Sequence, residues 1–122
     1  MDDPLRAAVA LFNEGRFAEF QDALEGMVSG TRAVSERQFY VVLDDLAEAL
    51  LQLSDGDLAD AETMIASALR KLDGFVPRFR DLNIEALRDD FRRVLVELRD
   101  TRAGRKAEWA PSRLPRLRIL AD

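Results

Sequence analysis

A small group of polar side chains on two adjacent predicted helices has the residue types and spacing that could do chemistry. On the second predicted helix, Gln21 and Glu25 are four residues apart and Asp22 and Glu25 are three apart, so their side chains share one helix face. If the third helix packs antiparallel to the second, Asp45 approaches this face. Three convergent carboxylates could hold Mg²⁺ or Ca²⁺, because both ions prefer oxygen ligands. The candidate ligand-binding residues are Glu19, Gln21, Asp22, Glu25, Arg37 and Asp45.

The same acidic residues have a simpler interpretation. Acidic side chains at helical spacing are most often found on a solvated helix face. A solvated acidic surface is therefore favoured over a ligand site. Arg37 lies in the first turn of the third helix, where a cation opposes the helix dipole. We therefore expect Arg37 to have an acidic partner, Glu19 or Glu25, in a structural ion pair rather than in a ligand clamp.

The residue types that the sequence lacks exclude most catalytic designs. It contains no histidine and no cysteine, which excludes Ser-His-Asp and Cys-His nucleophiles, histidine general bases and zinc sites built from these ligands. It also lacks the glycine-rich phosphate-binding motifs G-x-x-x-x-G-K-[ST] and G-x-G-x-x-G. Only carboxylates, arginines or a hard metal remain for an enzyme, so we predict no catalytic residues and no cofactor.

A helix–glycine–helix phrase that occurs twice indicates the elements that carry the candidate side chains. The first copy spans residues 11–24 around Gly15, and the second spans residues 52–65 around Gly56. In each copy, apolar residues at helical spacing flank a glycine that can take the left-handed conformation of a helix C-cap. Each phrase therefore predicts a helical hairpin.

Five segments in all have the apolar periodicity of a helix. They begin at Asp3-Pro4, directly after Gly15, at a capping box of residues 35–38, at about Asp57 and at the N-cap Asn83. No strand pattern is present, and residues 75–82 are predicted to form a loop. The predicted fold class is all-α: a single-domain multi-helical bundle of about five helices, with two helical hairpins, a long C-terminal helix and an irregular C-terminal tail.

Charge divides the chain into an acidic body and a basic tail. Residues 1–101 carry 12 Arg or Lys and 21 Asp or Glu, whereas residues 102–122 carry 6 and 2. We place the helical bundle at residues 1–104 and the proline-containing tail at residues 105–122. The tail is predicted to dock on the bundle or, as an exchanged arm, on a second subunit to build a homo-oligomer. Its predicted contact residues are Trp109, Leu114 and Leu117.

The charge balance and the targeting signals bear on partners and location. The acidic body repels nucleic acid, so we do not expect a nucleic-acid partner. No apolar run approaches the roughly 20 residues that a membrane span needs, and residues 1–20 lack the basic start of a secretory signal. We predict a cytoplasmic protein without a membrane partner. Its many aspartates and few lysines also fit a salt-adapted source.

The first glycine phrase carries a family resemblance. Residues 15–25 resemble the signature of the domain of unknown function 309 family, G-x-[YF]-x-E-x-H-E-x-L-E-x-x-W. Glu19 and Glu25 match this motif. Gln21 stands at the position of its His, and Val28 at the position of its Trp. The resemblance implies a small all-helical bundle without an assigned activity, in a member that has kept carboxylates and lost the imidazole. The two hairpins also resemble tetratricopeptide repeats, with a longer spacing and only two copies.

These observations lead to three hypotheses of function. The first, which is favoured because catalytic motifs are lacking, is a non-enzymatic interaction or scaffold protein that self-associates. Its surface for an unknown protein partner would be the groove between helices two and three, or the tail. The second is a domain that binds a small molecule or a divalent metal through the carboxylates of helices two and three. The third and most remote is a carboxylate-dependent hydrolase. A ligand site requires Glu25 and Asp45 to be buried and convergent.

Overall fold

Five α-helices and one small hairpin make up the described part of the chain, which confirms the predicted all-α fold class. The computed structural model describes residues 3–105, 109 and 114–120. In chain order the elements are α1 (Asp3–Asn13), α2 (Phe17–Ser29), α3 (Val34–Ser54), α4 (Leu58–Leu72), β1 (Arg78–Phe79), β2 (Leu82–Asn83) and α5 (Ile84–Arg102). Among the described residues, no helix combines the length and the apolar character needed to cross a membrane.

The same hydrogen-bond pattern ends the first helix of each predicted hairpin. Gly15 and Gly56 have φ angles of +79° and +82°, in the left-handed region. The N–H groups of Gly15 and Arg16 donate to carbonyls in the last turn of α1, and those of Gly56 and Asp57 do the same at the end of α3. This is the Schellman arrangement that stops a helix and turns the chain. Both glycine phrases therefore form helical hairpins.

Each helix packs mainly against the next one along the chain, with α3 at the centre of the row. The most extensive contacts join α3 to α2 and to α4. One face of α3, which includes Phe39 and Leu46, is buried in the core together with Phe20 and Phe91. The residues on the opposite face are exposed or half-buried. The central helix of the row thus keeps one face toward solvent.

The start of α3 differs from the prediction. The helix begins at Val34, so Ser35 lies inside it and the predicted capping box is not formed. Instead, Thr31 Oγ1 accepts a hydrogen bond from the Ala33 N–H at 3.2 Å and donates one to Glu36 Oε2 at 2.9 Å. A threonine upstream of the helix therefore holds its first turn, and the capping-box pattern does not include that position.

The predicted loop of residues 75–82 contains most of a hairpin, so the expectation of no strand was wrong here. β1 and β2 pair antiparallel around a two-residue turn, Arg80-Asp81. Both turn residues have positive φ, 51° and 65°, which is the signature of a type I′ hairpin. Such turns usually contain Asn or Gly, and each strand has only two residues, so the sequence signal was weak. Asn83 caps α5 as predicted, because its Oδ1 accepts the Ala86 N–H at 3.0 Å.

The described part of the C-terminal tail lies against the body of its own chain. Residues 114–120 run beside β2, where one antiparallel bridge forms with Leu82. Backbone hydrogen bonds of 2.8 and 2.9 Å flank this bridge. Leu117 is buried and Trp109 is half-buried against the core, whereas Leu114 is 52% exposed. Two of the three predicted contact residues therefore pack on the bundle, and the rest of the tail lies outside the described residues.

Candidate functional site

A groove between α2 and α3 collects half of the predicted site residues. Gln21, Asp22 and Glu25 line one wall of a cavity of about 430 Å³. From α3, the acidic residue that lines this cavity is Asp44. The helices run antiparallel, because Gln21 near the start of α2 reaches Glu48 in the second half of α3. Side chains from two helices therefore meet here, although the set differs from the predicted one.

Asp45 lies on the other side of α3, toward α4, which corrects the prediction. Its Oδ2 atom is 3.8 Å from Lys71 Nζ, and it lines a different cavity. Burial raises the pKa of Asp45, and the Lys71 ammonium offsets part of this shift. Consecutive helix residues are rotated by about 100°, so Asp44 and Asp45 face different neighbours. The expected approach of Asp45 to Glu25 is not formed, and Asp44 takes its place.

Asp44 lies in a stretch of like charge. Burial raises the pKa of Asp44 above its usual range. The negative charges of Asp45, Glu48 and Glu25 raise it further, and a hydrogen bond from the Gln21 side chain lowers it. Gln21 Nε2 also donates to Glu48 Oε2 at 3.2 Å. Among the described residues, no Lys or Arg forms an ion pair with Asp44, Glu48 or Glu25. Within the described residues, hydrogen bonds from Gln21 but no cationic side chain offset the repulsion within the stretch.

Glu19 and Arg37 lie outside this cavity. Glu19 is exposed, and both of its carboxylate oxygens accept hydrogen bonds from the Arg16 guanidinium, which raises the pKa of Arg16. Arg37 is exposed and pairs with no residue in the described ranges, so its predicted ion pair with Glu19 or Glu25 is not formed. Because α2 runs antiparallel to α3, Glu19 near the start of α2 lies far from Arg37 near the start of α3.

A larger cavity of about 870 Å³ adjoins the first one over the N-terminal half of α3. On its floor, Val34 is 60% exposed and Val41 is 47% exposed. Val28 at the end of α2 and Phe75 after α4 form its walls, and Arg37 also lines it. Val28 and Val41 line both cavities, so the two form one continuous depression. We call this depression, from Val34 to Asp44 along α3, the α3 groove.

The groove residues that the sequence-based prediction missed include Val34, Val41 and Asp44. The two valines do not belong to the apolar stripe that buries α3, which includes Phe39 and Leu43. They are seven residues apart, about two helical turns, so they share one face. Apolar residues at this spacing on the polar face of a helix are the signal that could have identified them. Asp44 was missed because the apolar periodicity of α3 does not show which of the adjacent residues Asp44 and Asp45 faces α2.

The groove acids do not converge on one point. Glu25 is exposed, and Asp45 is half-buried on another side of α3, so the arrangement that a carboxylate ligand site requires is not formed by this pair. Within residues 3–105, 109 and 114–120, no group of three or more carboxylates is placed to hold a metal ion. The groove instead combines an apolar floor with several negative side chains. Such a groove suits a partner surface that carries positive charge.

No family model matches this sequence, and no curated protein or solved structure matches it either. The resemblance to the domain of unknown function 309 family therefore stays a prediction that rests on residues 15–25 and on the helical pattern. What the α3 groove does has to follow from its own residues.

Proposed function

We propose that this protein is a non-enzymatic interaction protein that binds a segment of a partner protein in the α3 groove. The observation that carries the proposal is the pair of exposed valines on the groove floor, Val34 at 60% and Val41 at 47% exposure. Covering apolar surface lowers the free energy, and apolar patches rimmed by polar residues mark interaction sites. Here the walls from α2 and α4 would add further contacts to whatever covers the floor.

The shape of the groove favours a chain segment over a small molecule. Pockets for small ligands bury most of the ligand surface. A floor on which Val41 keeps 47% of its surface exposed is too open to enclose a small ligand in that way. The distance along α3 from Val34 to Asp44 is about 15 Å, a length that a short helical or extended segment covers.

A displayed library of random peptides tests the proposal, each about 14 residues long so that a helix spans the groove with about one turn to spare. Peptides are selected on the wild type and measured on a Val34→Asp/Val41→Asp variant. The matched control is Val96→Asp, because Val96 on α5 is 59% exposed and does not line the groove. We expect selected peptides to bind the wild type and the control equally and the double variant at least roughly tenfold more weakly, about 1.4 kcal/mol.

Two results would overturn the proposal. The first is a selection in which no peptide depends on Val34 and Val41, while both variants keep the wild-type melting transition. The second concerns a second copy of the chain as the occupant. If the wild type is a dimer in solution and the double variant is a monomer, the groove is a subunit interface rather than a site for a partner segment.

A further inference from the structure

The α3 groove is mainly apolar at one end, where Arg37 and Lys71 also line it, and acidic at the other. Over the N-terminal half of α3, Val34, Val41 and Phe75 supply apolar surface. One turn beyond Val41, Asp44 begins the acidic end, and Glu25 faces it from α2. Any segment that covers the whole groove therefore meets two different surfaces in a fixed order along the α3 axis.

Asp44, the half-buried acid of the groove, lacks the cationic partner that several half-buried acids elsewhere in the described residues have. Glu36 pairs with Arg80 at 3.2 Å, and Glu62 pairs with Arg102 at 2.8 Å. Asp45, on the α4 side of α3, pairs at 3.8 Å with Lys71, whose side chain also lines the apolar end of the groove. Asp22, Glu25 and Asp44 form no ion pair with any Lys or Arg in the described part of the chain. The sequence is rich in arginine, yet these acids have no cationic partner among the described residues. This contrast indicates that a binding partner supplies the positive charge at the acidic end.

We infer that the partner segment is a basic amphipathic helix, with apolar anchors over Val34 and Val41 and Arg or Lys side chains over Asp44 and Glu25. The inference rests on the proposed function. On a helix, side chains of one face repeat at the pitch of α3 itself, about 5.4 Å, so they meet the floor residues in register. The partner pattern is two apolar anchors about two turns apart, with a basic residue about one turn beyond the second.

Two occupants from this chain fit the groove less well. The C-terminal segment also combines leucines with arginines, as the proposed partner would. Residues 114–120, however, are hydrogen-bonded beside β2 and do not line the groove. A second copy would bring another acidic body, because residues 1–101 carry 12 basic and 21 acidic residues. Like charges facing each other across an interface oppose association, so a separate, positively charged partner is the better complement.

The selected peptides provide the test. Sequencing the enriched pool should give an excess of Arg and Lys over Asp and Glu, on the same helical face as the apolar anchors. A synthetic peptide from this pool should bind a Glu25→Lys/Asp44→Lys variant at least roughly tenfold more weakly than the wild type. The matched control is Asp55→Lys/Glu85→Lys, which makes the same charge change at exposed positions outside the groove and should bind like the wild type.

Further measurements test whether charge attraction causes the change in peptide affinity. A peptide whose basic residues are replaced by Glu should regain binding to the charge-reversed variant, and the affinity of the original peptide should fall with added salt. A Glu25→Gln/Asp44→Asn variant, which keeps side-chain shape, replaces the reversed variant if that one does not fold. Valine-dependent peptides without a basic excess, bound equally by the charge variants, would overturn the inference and leave the proposed function standing. A lack of valine-dependent peptides would instead remove the proposed function.

Discussion

Asn13 and Leu117 exchange two hydrogen bonds, although they are 104 residues apart in the sequence. Asn13 Nδ2 donates to the Leu117 carbonyl at 2.9 Å, and the Leu117 N–H donates to Asn13 Oδ1 at 2.8 Å. The side-chain amide thus pairs with the backbone as a neighbouring strand would. Since Leu117 is only 3% exposed, both of its backbone groups would lack a partner without this amide.

Replacing Asn13 with Ala should therefore lower the free energy of unfolding by about 1–3 kcal/mol, because it leaves a buried donor and acceptor unpaired. Urea denaturation of the two proteins measures this difference. Glu14→Ala, at the next, exposed position, is the control and should change stability by less than about 0.5 kcal/mol. Equal midpoints for Asn13→Ala and the wild type would show that the C-terminal segment does not need this contact.

Asp90 holds the same C-terminal segment from the side of α5. This carboxylate is 3% exposed and accepts hydrogen bonds from Arg118 Nη1 at 2.9 Å, from the Arg116 backbone N–H at 3.2 Å and from Arg93 Nη2 at 3.2 Å. Burial by itself raises the pKa of Asp90, but the hydrogen bonds from these three arginines outweigh it and lower the pKa below its usual range. The ionised carboxylate therefore stabilises the folded chain.

Asp90→Asn should lower the free energy of unfolding by about 2–3 kcal/mol at neutral pH, as expected for hydrogen bonds to a charged group. Because the folded-state pKa lies below the unfolded value of about 3.9, this contribution is fully present above that value. It is lost as the pH falls through the folded-state pKa, so the two proteins should converge in strong acid. Denaturation across this pH range tests the prediction, with the exposed neighbour variant Asp89→Asn as control. A difference that does not depend on pH would contradict it.

Replacing Gly26 or Gly15 with Ala should change the stability of the protein in opposite directions. A Cβ at either position would meet no atom within 4 Å, so only backbone conformation distinguishes them. Gly26 lies inside α2, where Ala is favoured by about 0.5–1 kcal/mol. Gly15 has φ of +79°, where Ala costs about 1–2 kcal/mol. Thermal denaturation should show a higher melting temperature for Gly26→Ala and a lower one for Gly15→Ala, and a shift of the same sign in both would refute this account.

Gly15 and Gly56 also explain why the helices could be predicted from the sequence. A helix end that depends on one left-handed glycine is a local signal, and apolar periodicity on each side is equally local. The N-cap Asn83 belongs to the same class, because its bond to the Ala86 N–H spans three residues. Element type and the direction of the hairpins follow from such signals without knowledge of the tertiary structure.

Asp44 and Asp45 illustrate what the sequence could not decide. Both residues border the buried stripe of α3, and only the rotation of that helix between α2 and α4 determines which one faces Glu25. The contact of Asn13 with Leu117 was beyond prediction for another reason, since no periodic pattern connects residues at the two ends of a chain. The predicted set therefore includes two acids that lie outside the groove, Glu19 and Asp45, and lacks the apolar floor of the groove.

Asp44→Asn should make the protein slightly more stable and a weaker binder at the same time. Burial and neighbouring acids raise the folded-state pKa of Asp44, so its ionised form is disfavoured in the fold at neutral pH. Removing the charge should raise the free energy of unfolding, by less than about 1 kcal/mol because solvent screens a partly exposed group. Below the unfolded pKa of about 3.9 the carboxyl is protonated in both states, and the gain should disappear.

The same variant should bind the valine-dependent peptides more weakly than the wild type, because one of the charges that attracts their basic residues is gone. Asp55→Asn is the matched control: it removes one exposed aspartate charge outside the groove, and it should leave peptide affinity nearly unchanged. Denaturation and peptide titration on both variants separate the two effects. If Asp44 serves binding at the expense of stability, Asp44→Asn should raise the free energy of unfolding and lower the peptide affinity. If Asp44 is purely structural, the variant should be less stable and bind the peptides unchanged.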